Sequence, residues 1–501
     1  MSQRSHWGSK IGFLMAAIGS AVGLGNIWRF GYMAYENGGG AFLVPYAVAL
    51  LLAGIPLMIL EYALGHREEG APPLAMARIS PQWEAVGWWM PTIAFFGINL
   101  FYAVVIGWCM NYFLFAFSQA WGADTGAFFM NHFLQISSGV SDFAGIRWPI
   151  LWGTLLTWLI CWAICYREVN QGIEKASMIF MPLLVVLTLI LVIWSLRLPG
   201  AIEAVKEHYL TPDWTRINPF QPGGGKVWVA AFGQIFFTLS LGFGIMITYA
   251  SYLPEKTDIV GNALITSVLN CLYSFIAGFA VFGTIGFMAM KKGVPFAEAI
   301  KSGPGLAFVV YPEAINQLPA GKTIFGLLFF LVLIMAGLSS AISLVEAFCC
   351  SLIDKFGFSR GRTVTVVCLI GALGSIVFTT RAGLYILDIV DHFINNYGLL
   401  TGGIAECIFV GWVLRAVVAR EHVNKVGTIR LPRLWDYLIR FGTPFLLILV
   451  IGVALANEFS ACYGGYSATA LLLVGGGWLV AALILALVLS RKCGKSLDME
   501  L

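Results

Sequence analysis

Gly19-Ser20-Ala21-Val22-Gly23-Leu24-Gly25-Asn26 lies in the middle of an apolar run that starts at Ile11 and continues through Trp28 and Arg29 to Tyr35. Each glycine inside a helix costs about 1 kcal/mol relative to alanine, so this cluster favours a break in what is otherwise a membrane-length helix. A second run carries the same signature at Ser240-Leu241-Gly242-Phe243-Gly244. In mid-bilayer a broken backbone is tolerated only where its freed N–H and C=O groups line a cavity or bind something. Gly19-x-x-x-Gly23 also fits the small-residue helix-packing motif, so either run alone leaves both readings open. Asn26 and Arg29 favour the broken helix, because polar groups within a span are costly and functional. Two Gly-interrupted spans at matching places in two halves of a chain point to a transporter binding site.

Composition supports a membrane protein throughout. Of 501 residues 59% are apolar and 11% charged, against about 25% charged in soluble domains. The net charge of +4 is scattered through loops, which gives no reason to expect nucleic acid as a partner. Most of the ten cysteines fall within apolar runs and read as buried thiols. The absence of any Asn-x-Ser/Thr acceptor and the short tails point to a prokaryotic inner (plasma) membrane. Arg4 and Lys10 before an apolar run imitate a secretory signal, but no cleavage site follows, so this is a first membrane helix.

The expected fold is an all-α membrane protein with twelve spans, at about 11–35, 41–64, 87–118, 148–166, 173–197, 227–252, 260–290, 322–355, 363–380, 384–416, 434–456 and 466–490. With both termini cytoplasmic, the larger share of Lys and Arg lies inside, much of it between Arg415 and Arg440. The loops at 198–226 and 291–321 then lie outside. GVPFAEAI and GLAFVVYPEAINQL show helical spacing and predict structured lids. GGGK at Gly223 to Lys226 lacks the rest of a phosphate loop and reads as a linker. Span 1 runs outward and span 6 inward, as two inverted five-helix repeats require.

GSAVGLGNIWRF at Gly19 to Phe30, ENGGGAFLVPY at Glu36 to Tyr46, GQIFFTLSLGFGIMITYASY at Gly233 to Tyr252 and AGLSSAISL at Ala336 to Leu344 closely resemble the neurotransmitter:sodium symporters. The Asp388/Asp391 pair matches as well, and the likeness covers essentially the whole chain. The resemblance implies a 5+5 inverted repeat with unwound helices 1 and 6, followed by two additional helices. The divisions would be 1–197 (first repeat), 198–226 (extracellular loop), 227–416 (second repeat, with the 291–321 lid) and 417–501 (helices 11 and 12 with the tail). It also implies alternating access, driven by sodium, for a small-molecule amino-acid substrate.

Carried over position by position, the resemblance gives a first sodium ion the Ala21 carbonyl, Asn26, Thr238, Asn270 and the substrate carboxylate. A second would take the carbonyls of Gly19, Val22 and Ala336 with the hydroxyls of Ser339 and Ser340. These are hard oxygen donors, suited to sodium and not to a transition metal. The carboxylate would meet the amides of Gly23, Leu24 and Gly25 at a positive helix end, with Tyr102 donating its hydroxyl. The amine would face carbonyls around Ala21, Phe237, Thr238 and Ser240. Ile98, Tyr102, Phe237, Ser240, Phe243, Ser340 and Leu344 would line the rest. Monoamine carriers of the family have Asp where this chain has Gly23, which favours an amino acid. Gates would pair Arg29 with Asp391 outside and Arg4 with Asp354 inside.

Two sodium ions and one zwitterion leave excess positive charge in a low-dielectric site, where uncompensated charge is expensive. Chloride-independent bacterial relatives place a carboxylate four residues after the ligating Asn of span 7; here that residue is Ser274, and no acid occurs between Gly261 and Met290. Tyr46, Gln234, Thr238, Asn270 and Ser274 match the donors around chloride in animal members, so Cl− is expected beside Na+. An enzyme is not expected, since Asp388 and Asp391 on one helix do not make a protease dyad of acids from different helices. A channel, a non-transporting sensor or a proton-coupled amino-acid transporter are the alternatives. Glu61, Glu346 and Glu406 lie in or near spans, as structural or proton-coupling groups. The pattern leaves monomer and oligomer equally open.

Overall fold

The computed structural model describes residues 6–221, 223–301 and 303–492. Helices stand at all twelve expected positions, and no strand occurs among the described residues. Nine are single apolar helices: Gly40–Glu68, Pro81–Phe115, Trp148–Cys165, Ile173–Leu196, Ile259–Lys292, Lys322–Phe356, Arg360–Thr379, Leu434–Gly465 and Ala468–Arg491. Span 10 covers Gly383–Val413. Spans 1 and 6 are the two broken ones.

Span 1 is a pair, Lys10–Ala21 and Leu24–Glu36, bent by 52°. Val22 leaves the helix with extended backbone, and Gly23 begins the second half as its cap. Span 6 is Gly224–Thr238 and Ile245–Ala250. Between them Ser240, Gly242 and Gly244 take φ of +55°, +75° and +72°. Alternating left-handed residues interrupt the helix here, a backbone that glycine adopts without Cβ strain. The freed Gly242 N–H is met by Glu61 Oε1 of span 2 at 2.8 Å. In Gly242→Ala the new Cβ would lie 2.9 Å from the Leu399 carbonyl in an already strained conformation. A loss of about 1–2 kcal/mol is expected from the left-handed conformation alone, read as a lower unfolding midpoint of the purified protein; an unchanged midpoint would mean the break does not need glycine there.

Burial separates core from lipid-facing spans. The most apolar windows of spans 3 and 8 are 83% and 78% buried, those of spans 11 and 12 only 28% and 22%. Spans 11 and 12 therefore present their leucines, phenylalanines and valines to lipid, while spans 1, 3, 6 and 8 enclose the centre. In the two long loops Ala201–Leu210 and Leu306–Gln317 form helices, as expected of structured loops; within GVPFAEAI only Phe296–Ala299 is helical. Helices at Pro72–Ile79 and Thr125–Leu134 were not foreseen, nor was one at Ala416–Val426, which turns 87° from the end of span 10 and lies in the loop before span 11. Among the described residues nine cysteines are free, all buried except Cys462.

Candidate functional site

A cavity of about 860 Å³ starts at the two helix breaks and runs past Arg29 and Asp391 to residues of the outer loops. It is lined by Ala21, Gly23, Leu24, Gly25 and Asn26 of span 1, and by Phe237, Thr238, Ser240 and Phe243 of span 6. Ile98 and Tyr102 of span 3 and Ser340 and Leu344 of span 8 complete the lower wall, so all twelve residues expected to line the substrate site face one space. Span 3 opens into a wide-turned helical stretch at Ile93–Asn99 just before Tyr102, which brings Ile98 to the wall.

The contacts within that wall are close. Leu24 N–H donates to the Tyr102 hydroxyl at 3.2 Å. A Cβ on Gly23 would stand 2.9 Å from that hydroxyl and 3.0 Å from Ser340 Oγ, and one on Gly25 would stand 2.7 Å from the Phe237 ring. Glycine at these positions keeps the start of the second half-helix bare, so its N–H groups and positive end face the cavity.

Behind this wall the side chains of Asn26, Thr238, Asn270 and Ser274 form one buried cluster. Thr238 Oγ1, Asn270 Oδ1 and Ser274 Oγ converge on Asn26 Nδ2 at 2.9, 2.8 and 2.8 Å. Asn26 Oδ1 accepts from Gly23 N at 2.8 Å, tying the cluster to the break itself. Three hard oxygen donors thus gather round the amide nitrogen of Asn26, while its amide oxygen is taken by Gly23 N. On the other side of span 1, Ser340 Oγ donates to the Ser20 carbonyl at 3.1 Å and Ser339 Oγ to the Ala336 carbonyl at 2.9 Å. A Cβ on Gly19 would be 3.5 Å from Ser339 Cβ, which places span 1 directly against the Ser339 turn of span 8.

Gln234 stands one turn before Thr238 and is 1% exposed, yet among the described residues neither its amide nitrogen nor its amide oxygen has a partner. Tyr46 donates its hydroxyl to Cys271 Sγ at 3.4 Å, a weak contact one residue from Asn270. Ser274 Oγ also donates to the Asn270 carbonyl at 3.2 Å. Of the five residues expected at chloride, Thr238, Asn270 and Ser274 thus meet in the Asn26 cluster, Tyr46 touches the neighbouring Cys271, and Gln234 stands one helical turn from Thr238. They include a buried amide whose hydrogen-bonding capacity is unspent, which is costly unless a ligand satisfies it.

The cavity is open at the end marked by Arg29 and Asp391 and closed at the end marked by Trp7. Arg29 stacks over Phe237 at 4.6 Å from the ring centre, and Asp391 accepts from Asn395 at 2.7 Å. Both residues expected at the outer gate line this cavity, and no ion pair joins Arg29 to Asp391 among those the described residues make. Below, Trp7 Nε1 donates to the Tyr249 carbonyl at 2.8 Å and Trp7 N to the Tyr252 carbonyl at 3.2 Å, sealing span 1 against the inner half of span 6. Arg4 lies outside the described residues; Asp354 accepts from Ala71 N at 2.7 Å.

Sequence reasoning left the three buried glutamates unassigned. Glu346 is paired bidentately with Arg360 at 2.9 and 2.7 Å and accepts from Tyr252 at 2.8 Å, making it part of the inner closure. Glu61 braces the break in span 6, and Glu406 is buried with neither oxygen partnered among the described residues. Glu174 was not singled out, yet it accepts from Gly8 N at 2.6 Å and Ser9 Oγ at 2.8 Å, and so fastens the start of span 1 to span 5. No local sequence pattern marks these partners, which depend on which helix faces which.

Comparison with known proteins places the architecture. The model of the sodium:neurotransmitter symporter family matches residues 4–127 and 122–493. This chain belongs to that family. An uncharacterized sodium-dependent transporter of Methanocaldococcus jannaschii is 46% identical over 467 residues, 93% of this chain and 94% of that one. The sodium-dependent dopamine transporter of Bos taurus is 31% identical over 97% of this chain and 74% of its own. Among solved structures, MhsT in complex with L-phenylalanine is similar with a TM-score of 0.75 and 33% identity, over 90% of this chain and all of that one. Membership makes this symporter a multi-pass, sodium-dependent membrane transporter with helices 1 and 6 unwound.

Proposed function

We propose that the protein is a chloride-dependent symporter of neutral L-amino acids, carrying its substrate with two sodium ions by alternating access in a prokaryotic inner membrane. The carrying observation is the convergence of Thr238, Asn270 and Ser274 oxygens at Asn26, beside a glycine-bearing helix start that lines the cavity and the unpartnered Gln234 amide. Asn26, Thr238, Asn270 and the Ala21 carbonyl hold the first sodium with the substrate carboxylate; Gly19, Val22, Ala336, Ser339 and Ser340 hold the second. The carboxylate lies at Gly23, Leu24, Gly25 and Tyr102. The side chain lies among Ile98, Phe243 and Leu344, which are apolar and buried. Gly23 leaves no acid to receive a lone amine, in keeping with an amino acid as substrate. The bound L-phenylalanine of MhsT points the same way for a neutral side chain.

The test is uptake by purified protein in proteoliposomes with a panel of labelled amino acids under imposed sodium, chloride and proton gradients. Leucine-sized neutral substrates are expected to be taken up only with sodium outside. Tryptophan should bind less well, because Ile98 and Leu344 fill the floor, and lysine should be excluded. Tight binding of a monoamine or cationic substrate with leucine excluded would overturn the reading.

A further inference from the structure

We propose that His66 and His422 form a latch that holds the inner half of broken span 6 in its closed position, acting as positioning residues for inward opening. The proposal rests on the alternating-access reading above. His66 ends span 2 on the cytoplasmic side, and its ring touches two other elements at once. Its Nε2 is 3.0 Å from the Pro254 carbonyl, and its Nδ1 is 2.9 Å from His422 Nε2. A carbonyl only accepts, so His66 Nε2 carries the hydrogen; in the neutral pair Nδ1 then accepts from His422 Nε2–H. Lys or Arg at position 66 could donate to Pro254 but could not accept from residue 422.

The two ends of this chain of hydrogen bonds belong to parts that must separate. Pro254 follows directly on the inner half of span 6, Ile245–Ala250, whose Tyr249 and Tyr252 carbonyls are clasped by Trp7. His422 sits on the Ala416–Val426 helix, which is anchored elsewhere. Arg420 Nε lies 3.0 Å from both carboxylate oxygens of Asp436 at the start of span 11, and Asn424 Oδ1 accepts from Leu431 N at 2.6 Å. Movement of residues 245–254 away from the inner exit therefore breaks either His66–Pro254 or His66–His422. Burial, then the neighbouring His66, Arg67 and Lys425, push the His422 ring down to about 4. At neutral pH it is uncharged, so the latch is a bond between rings and not a repelling pair of cations.

The test uses the full chain with a Ser251→Cys reporter in a Cys462→Ser/Cys493→Ser background, labelled from the inner side by a charged maleimide. Ser251 is buried and lies in sequence between Tyr249 and Tyr252, whose carbonyls Trp7 holds. In sodium, His422→Leu is expected to raise the labelling rate about fivefold and to weaken apparent sodium affinity from outside about fivefold, as loss of one ordinary hydrogen bond would. His422→Gln, whose amide can donate to His66 Nδ1, should restore both. Unchanged labelling in His422→Leu, or a Gln variant no better than Leu, would overturn the latch. A purely structural role would lower the unfolding midpoint without shifting labelling, and that outcome also counts against it. The parental reporter must label faster in potassium than in sodium; failure there counts against alternating access itself, whereas a responsive parent with unresponsive variants counts against the latch alone.

Discussion

In Asn26→Ala, sodium affinity and substrate affinity fall together, each by about 100-fold or about 2.8 kcal/mol. Asn26 is where the buried cluster meets the break in span 1: its amide joins Thr238, Asn270 and Ser274 on one side and Gly23 N on the other. Alanine removes a proposed ion ligand directly, whereas loss of an outer-shell partner alone costs about 10–100-fold. It also frees Gly23 N, which no longer fixes the start of the second half-helix where the carboxylate is proposed to sit. Because the substrate carboxylate completes the proposed sodium shell, each ligand's loss weakens the other reciprocally. Sodium titrations of substrate binding by scintillation proximity read both affinities in one experiment. A variant with intact sodium dependence and only weakened substrate binding would remove Asn26 from the ion site and leave it as a backbone brace.

The sequence made the breaks legible because they are local. Glycines at 19, 23, 25, 242 and 244 interrupt otherwise uniform apolar runs, and the helices break within those clusters, at Val22–Gly23 and between Thr238 and Ile245. The positions of the spans were equally legible, since twenty-residue apolar runs have no competing explanation in a chain so poor in charge. What escaped notice depends on pairings distant in sequence. Glu346 acquires meaning from Arg360 and Tyr252, Glu61 from the Gly242 amide and Glu174 from the first turn of span 1. The cytoplasmic helix at Ala416–Val426 was missed for a different reason. Its Arg, Glu, His and Lys residues resemble a charged loop, and only its packing against span 2 and its ties to span 11 make a helix of it. Ser240 is instructive in another way: a serine at φ +55° would not be chosen by propensity, and the flanking glycines and its bond to the Ser20 carbonyl at 3.2 Å hold it there.

Replacing chloride by gluconate should lower uptake at least about tenfold, and Ser274→Glu should abolish that dependence. The tenfold figure corresponds to about 1.4 kcal/mol, a modest part of the cost of leaving excess positive charge in a buried site. Ser274 Oγ lies 2.8 Å from Asn26 Nδ2 and 3.2 Å from the Asn270 carbonyl, within the cluster that is proposed to hold sodium. A carboxylate introduced there would place a fixed negative charge where the mobile anion is proposed to reside, and would compete with it by both charge and volume. Gln234, with its amide nitrogen unspent, is the natural donor to either anion. Gln234→Leu, which removes that donor, should therefore raise the chloride concentration needed for half-maximal uptake while leaving Ser274→Glu/Gln234→Leu independent of chloride. Glu61 and Glu406 are the competing sources of negative charge. Glu61, however, is engaged with the Gly242 amide at the break in span 6, outside the Asn26 cluster. Full uptake by the unaltered protein in chloride-free medium would transfer the compensating role to those glutamates and refute the anion site at Ser274.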